Sequence, residues 1–297
     1  DLLRGVARQP FHELQRVLLV RGGFGHRDAG DVQVRAAALE GREDDAHRFG
    51  PGLLFRVGEH LAHVVGVAKR DVAFPGRDGL DLVAVAAVGV TTQRASTIVW
   101  DRATGEPIGP GLGWQDLRTV PMVAELDGWE WAAERRRTLG YFPGPYCSAL
   151  HLAWRMQHVP ELREAAAEKR LRFGLSAAWL LAALGRPAGH QMDYSLVQAM
   201  GLYDFRRQHY WTAWLERLGI PQDALPEAMP TVHEFGTLRL GDADIPVLAT
   251  IGDQQSALFG YGCRTPGAAE CTHGTASFVD VFVGDTAPKQ ETMNVYF

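Results

Sequence analysis

Apolar and polar positions alternate in clear patterns only after about residue 80. Residues 82–90 form a continuous apolar run, which predicts a strand buried on both faces of a sheet. Residues 96–100 predict a second strand. The Asp and Gly positions of residues 101–107 predict a turn after it. Residues 113–116 then predict a short third strand, so this part of the chain is expected to begin as a β-meander.

Helical spacing of apolar residues dominates the middle of the chain, and strands return near its end. The predicted helices cover residues 148–157, 161–170, 176–184, 211–218 and 253–259. The predicted strands of this part cover residues 246–251, 270–273 and 277–283. Because strands and helices alternate, the pattern predicts an α/β fold with a mixed sheet.

The first 80 residues differ in composition as well as in pattern. They contain no Ser, Thr, Ile, Trp, Tyr, Met, Cys or Asn, although Ser and Thr commonly cap helices and close turns. Only residues 14–20 and 61–67 suggest ordered elements, each either a strand or a buried helical turn. An excess of Arg, Ala, Gly and Val without hydroxyl side chains is typical of a GC-rich gene translated in a wrong frame or strand. We therefore predict an atypical segment over 1–80, either mis-framed or disordered.

Composition excludes several classes of protein. The chain has 297 residues, 46% of them hydrophobic and 22% charged, with a net charge of −5. This mildly acidic balance argues against nucleic acid or an anionic membrane as the main partner. The longest apolar run is less than half of the roughly 20 residues that a membrane span needs. Three cysteines without a C-x-x-C pair favour neither a disulfide framework nor a zinc site. We therefore expect a cytoplasmic protein.

Two segments carry groups that could do chemistry. Asp253 and Gln254 follow an apolar strand and open a helix, at the strand end where ligands of α/β folds bind. Asp in this position is equally typical of a helix N-cap, but capping does not require Gln254, which favours a polyol-binding site. Gly274 and Thr275 lie in a tight turn that could present backbone N–H groups and a hydroxyl to a phosphate. Ordinary hairpins have the same pattern.

Other catalytic patterns are missing. The sequence contains no G-x-S-x-G elbow and no Walker A motif, and after residue 80 it contains no complete G-x-G-x-x-G fingerprint. His60 and His63 have the spacing of metal ligands on a helix, but no third ligand lies near them. These absences make an acyl or metal hydrolase a remote alternative, and no metal-ligating residue is predicted.

Several segments, taken in order, resemble the FGGY family of carbohydrate kinases, and its glycerol kinase-like members most closely. The resemblance covers about residues 81–297. The matching segments are residues 89–101, 114–119, 145–154, 173–180, 219–227, 252–255 and 274–275. Each segment alone is a weak signal, whereas the ordered set is highly specific.

The resemblance implies a role for each matching side chain. Asp253 corresponds to the catalytic base that takes the proton of the acceptor hydroxyl. Gly274 and Thr275 correspond to the loop that meets the nucleotide phosphates. The residues that would bind a small-molecule polyol or sugar are Arg94, Trp114, Tyr146, Gln254 and Phe278. The family also implies ATP with Mg²⁺ as cofactor, and it leaves homo-oligomerisation open.

The fold implied is the α/β actin-like ATPase fold of ribonuclease H type, in an incomplete form. Residues 81–262 would form the N-terminal kinase domain without its first hairpin, and residues 263–297 the start of the C-terminal domain. Residues 1–80 show no resemblance. They contain no Thr, so the threonine-rich phosphate loop found at the start of proteins of this family cannot lie there.

Departures from the family pattern sharpen the functional expectation. Ala95 stands where the family has a Glu that contacts glycerol, and His151 stands where it has a Lys. These changes predict a polyol or sugar acceptor other than glycerol. The missing phosphate loop predicts that the chain as written is weakly active or inactive. The alternative is a non-catalytic polyol-binding remnant, or an interaction protein on a kinase scaffold.

Overall fold

The computed structural model describes residues 17–22, 32–37, 53–55, 64–69, 85–127, 132–240, 243–273, 277–288 and 293–297. The chain forms two compact units. The first unit contains the described residues up to Thr92 together with Ala177–Gln191 and Met229–Thr250. The second unit contains Gln93–Ser176, Met192–Ala228 and the described residues from Ile251 onward.

The described elements are numbered in chain order. The strands are β1 Val17–Gly22, β2 Val32–Ala37, β3 Leu53–Phe55, β4 Val64–Lys69, β5 Val85–Thr92, β6 Ile98–Asp101, β7 Leu171–Gly174, β8 Gly185–Pro187, β9 Gln191–Asp193, β10 Tyr203–Asp204, β11 His209–Tyr210, β12 Glu227–Met229, β13 Val232–Leu240, β14 Ala243–Gly252, β15 Ala269–His273 and β16 Ser277–Val281. The helices are α1 Val120–Asp127, α2 Ala132–Leu139, α3 Ser148–His158, α4 Pro160–Ala167, α5 Ser176–Leu184, α6 Tyr194–Ala199, α7 Thr212–Leu218 and α8 Asp253–Gly260.

An eight-stranded sheet dominates the first unit, in the order β3-β2-β1-β4-β5-β14-β13-β8. Strand β5 buries almost every side chain, with Val88 and Val90 each 1% exposed. The strand predicted over 82–90 is therefore confirmed for its described residues. The runs 14–20 and 61–67 left strand and helical turn open. Their described residues, 17–20 and 64–67, lie in strands β1 and β4, and the others lie outside the described residues. The mis-framing of residues 1–80 and the domain boundaries at 80 and 262 stay predictions.

The core of the second unit surrounds helix α3. This helix buries Leu150 and Leu152 completely, and the antiparallel pair β6–β7 buries Phe173. Helix α7 contributes the fully buried Trp214, whose indole N–H donates to the carbonyl oxygen of Gly201 at 2.9 Å. Both helices were predicted from their apolar spacing, and both are confirmed.

Two predicted elements differ from the structure. Residues 113–116 form a turn, closed by a hydrogen bond from the Asp116 N–H to the Gly113 carbonyl at 3.0 Å. The Asp116 carboxylate also accepts from the backbone and guanidinium of Arg118, and such local bonds compete with strand pairing. The helix predicted over 161–170 ends at Ala167, because Lys169 adopts a left-handed conformation at φ 55°.

Two further properties bear on the protein class. None of the helices within the described ranges is long and apolar enough to cross a membrane. Cys147, Cys263 and Cys271 are free thiols, and burial raises the pKa of the Cys147 thiol. A buried thiol with a raised pKa is a packing group rather than a nucleophile.

Candidate functional site

Arg94 and Asp253 face each other in the second unit and form the centre of the candidate site. The Nε atom of Arg94 lies 3.9 Å from Oδ1 of Asp253. The Arg94 side chain is 15% exposed, whereas the Asp253 side chain is 48% exposed. The guanidinium is thus held in the protein while the carboxylate remains open to a ligand. The family resemblance assigned both residues to one site, and the geometry brings them together.

Local structure fixes where the Asp253 carboxylate stands. Asp253 is the first residue of helix α8, and the preceding Gly252 is extended at φ −66° and ψ 148°. The Gly252 N–H donates to the Ser195 hydroxyl at 2.9 Å, and that hydroxyl donates to Asp193 Oδ2 at 2.6 Å. A Cβ on Gly252 would lie 2.6 Å from Oε1 of Gln255 and 3.3 Å from Cδ of Arg94, so a larger residue here would displace the end of the Gln255 side chain and press on Arg94.

Two tyrosines complete the surroundings of Arg94. Its guanidinium carbon lies 4.5 Å from the ring centroid of Tyr296, which is a cation–π geometry. The terminal segment that carries Tyr296 is held by Gln198, whose side chain donates to the Val295 carbonyl at 2.7 Å. Burial raises the pKa of Tyr146, and the charge of Arg94 opposes this rise. Tyr146 is therefore within electrostatic reach of Arg94, and it remains 37% exposed.

A pair of carboxyl groups lies on the hairpin β15–β16. Glu270 stands directly opposite Asp280 in the strand register. Burial, more than any neighbour, raises the pKa of Asp280, and the neighbouring carboxyl group of Glu270 raises it further. The charge of Asp253 acts in the same direction, whereas Arg94 opposes it. This hairpin thus belongs to the electrostatic environment of Arg94 and Asp253.

Trp114 lies in the turn that replaces the predicted strand, and His151 anchors that turn. The His151 Nε2 atom lies 3.0 Å from the carbonyl oxygen of Asp116, and Nδ1 lies 3.2 Å from the Thr97 hydroxyl. Burial lowers the pKa of His151, so the imidazole is neutral at pH 7. A carbonyl can only accept, so Nε2 carries the proton and Nδ1 accepts from Thr97.

This arrangement predicts a pH-dependent contribution of His151 to stability. Because its folded pKa lies below the ordinary value, the unfolded chain takes up the proton first as the pH falls. We therefore expect stability to decrease as the pH drops from about 6.5 toward the lowered pKa. His151→Gln should remove this decrease, and should cost about 1 kcal/mol at pH 7 through lost hydrogen bonds. Thermal unfolding between pH 4 and pH 8 measures both effects.

The matched control for this prediction is His158→Gln, which changes an exposed histidine of the same helix. It should leave the difference between pH 4 and pH 8 unchanged. An identical loss of stability at low pH in the wild type and in His151→Gln would assign the effect to another group.

The remaining predicted site residues have these positions. Gln254 is partly exposed on the first turn of α8, where its N–H donates to Asp253 Oδ1 at 2.9 Å. Trp114 is 41% exposed and Phe278 is 46% exposed, so both rings leave surface for a ligand. Gly274 and Thr275 lie outside the described residues. In the part of the chain that the structure describes, no group of three or more His, Cys, Asp or Glu residues could hold a metal ion.

Sequence reasoning did not identify Glu270, Asp280, Tyr296 or Ser195 as parts of this site. The alternation along β16 places Asp280 on the same face as Phe278, and that spacing was a usable signal. Neither Tyr296 nor Ser195 belongs to a local pattern that predicts a contact with Arg94 or Gly252. Their positions depend on pairings between distant segments.

Comparison with known proteins identifies relatives of this chain. Residues 69–260 match the model of the N-terminal domain of the FGGY family of carbohydrate kinases. Over 219 residues the chain is 40% identical to a glycerol kinase of Symbiobacterium thermophilum, covering 73% of this chain and 44% of that protein. A glycerol kinase of Halorhodospira halophila is 35% identical over 263 residues, which cover 79% and 52% of the two chains.

A solved structure resembles the fold. The crystal structure of Plasmodium falciparum glycerol kinase with ADP superposes with a TM-score of 0.67 at 20% sequence identity, covering 89% of this chain and 53% of that one. The chain therefore spans about half the length of the relatives that it matches.

Proposed function

The chain belongs to the FGGY family of carbohydrate kinases, and from this premise we propose that it carries the acceptor-binding part of an ATP-dependent kinase. The reaction would phosphorylate a hydroxyl group of a polyol or sugar. The observation that supports this most is the exposed Asp253 carboxylate beside the held guanidinium of Arg94. The fold is the actin-like ATPase fold that the resemblance implied, since its structural neighbours are FGGY sugar kinases.

In the proposed reaction Asp253 acts as general base. It accepts the proton of the acceptor hydroxyl while the hydroxyl oxygen forms a bond to the γ-phosphorus of ATP. The bond between that phosphorus and the bridging oxygen breaks, and ADP leaves. Because such a transfer needs positioning more than covalent catalysis, the hydroxyl-binding groups contribute to rate as well as to affinity. We assign hydroxyl binding to Arg94, Tyr146 and Gln254.

The carbon skeleton of the acceptor would lie between Trp114 and Phe278. Both rings are partly exposed, and an aromatic face suits the apolar C–H side of a polyol. The acceptor is thus a small molecule with several hydroxyl groups and one apolar face.

The phosphoryl donor is inferred from the family to be ATP with Mg²⁺. Mg²⁺ that accompanies a nucleotide takes most of its ligands from phosphate oxygens and water. The described residues are compatible with this, since they offer separate carboxylates and no three-ligand cage. When bound, ATP would supply the transferred phosphoryl group and Mg²⁺ would offset the charge of the phosphates. Gly274 and Thr275 would meet the phosphates of ATP.

We further propose that this chain by itself has low turnover. Its first 80 residues contain no Ser or Thr, the side chains that the resemblance places in the opening phosphate loop. The same observation favours the second candidate function, which is a polyol-binding module without catalysis.

Two measurements on the purified chain separate these functions. Titration calorimetry with glycerol and with xylitol tests binding, and radiolabelled ATP with the same polyols tests transfer. Binding together with any transfer above a protein-free control supports the kinase. Binding without transfer supports the binding module, and the absence of both contradicts both functions.

A further inference from the structure

We propose that Asp280 is a specificity-determining residue of the acceptor site. Its carboxylate would accept a hydrogen bond from a hydroxyl of a neutral polyol, and it would disfavour acceptors that carry a carboxylate. This inference rests on the proposed function, because it requires the acceptor to bind beside Arg94 and Asp253.

The hairpin β15–β16 places Asp280 among the groups of the site. Residues two apart on a strand point to the same face, so Asp280 shares a face with Phe278, one of the two rings assigned to the acceptor. Glu270 lies opposite Asp280 in the register, so its side chain is on this face as well. The face therefore combines one aromatic ring with two carboxyl groups.

One carboxylate oxygen of Asp280 lacks a hydrogen-bond partner in the described part of the structure. Its Oδ2 atom is buried and has no hydrogen-bond partner among the described residues. Glu270, in contrast, is 6% exposed and accepts from the Thr272 hydroxyl at 2.9 Å through Oε2. Buried polar atoms are nearly always paired, so an unpaired carboxylate oxygen in a binding site is expected to meet a donor. A polyol hydroxyl is such a donor.

The charge around Asp280 determines which acceptors fit. Arg94 is the cation that acts on Asp280, and Asp253 and Glu270 are the anions that act on it. The Tyr296 hydroxyl also lies within electrostatic reach of Asp280. Asp280 thus lies within electrostatic reach of two further carboxyl groups and one guanidinium, and this excess of carboxyl groups repels an added negative charge. A neutral polyol avoids that repulsion, and discrimination of this kind arises from a repulsive as well as an attractive element.

The experiment compares two substitutions at Asp280 in the full 297-residue chain. Asp280→Leu removes both acceptor oxygens, whereas Asp280→Asn keeps one oxygen and removes the charge. Calorimetry measures the Kd of glycerol, xylitol and gluconate. For the better-binding neutral polyol we expect about tenfold weaker binding by Asp280→Leu, which corresponds to about 1.4 kcal/mol, and a smaller loss for Asp280→Asn. Gluconate should bind more tightly to both variants than to the wild type.

The control is Asp285→Asn, which removes an exposed carboxylate of the segment after β16. It should bind all three compounds as the wild type does. Thermal unfolding checks that each variant is folded. If Asp280→Leu does not fold, the affinities of Asp280→Asn alone test the inference.

Each outcome has a defined meaning. If the wild type binds none of the three compounds, the proposed function fails and the inference fails with it. If the wild type binds a neutral polyol and both variants bind it within twofold of the wild type, the inference is overturned while the proposed function stands. A wild-type preference for gluconate would also overturn it.

Discussion

Replacing Asp253 with Asn is expected to lower phosphoryl transfer to a polyol about a thousandfold, with polyol affinity within about threefold of the wild type. A positioned general base contributes roughly 10²–10⁴-fold to a rate, and the amide of Asn cannot accept the proton. The substitution retains the side-chain shape and an Oδ1 atom. The bond that Asp253 Oδ1 accepts from the Gln254 N–H, 2.9 Å long, can therefore persist.

The measurement is the initial rate of transfer from radiolabelled ATP, because the wild-type chain is itself proposed to be slow. Asp285→Asn again provides the matched control, since it makes the same chemical change at an exposed position. Calorimetry on both variants separates binding from chemistry. A rate for Asp253→Asn within tenfold of the wild type would exclude Asp253 as the base.

Local sequence determines the part of the site that could be predicted. An apolar strand that ends in Gly, followed by Asp and Gln at a helix start, specifies the end of β14 and the start of α8 within a few residues. The position of Asp253 follows from this pattern alone. Arg94 was assigned from family resemblance, and its Nε atom lies 3.9 Å from Oδ1 of Asp253.

The remainder of the site depends on the exact strand register and on contacts between distant segments. Asp280 meets Glu270 because the two strands of the hairpin adopt one register, and a one-residue slip would turn these side chains to the opposite face. Tyr296 reaches Arg94 because Gln198 binds the backbone on both sides of it, at Val295 and Phe297. The two hydrogen bonds of Gln198 join residues almost one hundred positions apart.

The predicted strand over 113–116 was wrong for a related reason. Within this segment Asp116 binds Arg118 through both carboxylate oxygens, and these bonds hold a turn instead of a strand. His151 then holds the turn from a helix that begins more than thirty residues later. Because that helix is distant in sequence, the position of Trp114 could not be inferred from its own segment.

Arg94→Ala is expected to weaken polyol binding between about tenfold and a hundredfold. Hydrogen bonds from a charged donor contribute roughly 1.5–3 kcal/mol, and the guanidinium presents several donors in a fixed plane. Stacking on Tyr296 at 4.5 Å holds that plane in place. Arg94→Lys keeps the charge without the planar fork, so we expect it to recover only part of the affinity.

The control for Arg94 is Arg102→Ala, which removes an exposed guanidinium from the turn after β6. It should bind polyols as the wild type does. Calorimetry with glycerol and xylitol measures the affinities of all four proteins. If Arg94→Ala and the wild type bind polyols with equal affinity, the contact between Arg94 and Asp253 has a structural role and no role in polyol binding.

The pH dependence of thermal stability tests the role of Arg94 independently, through the same Arg94→Ala substitution. The pKa of Asp280 is raised in the folded protein, and Arg94 limits that rise. A raised carboxyl pKa favours the folded state at low pH and destabilises it as the pH rises from the ordinary value of 3.8 through the folded one. Without Arg94 this loss should be larger, so Arg94→Ala should lower the melting temperature more at pH 8 than at pH 4. An equal decrease at both pH values would mean that Arg94 stabilises the protein by packing on Tyr296 rather than by balancing the carboxylates.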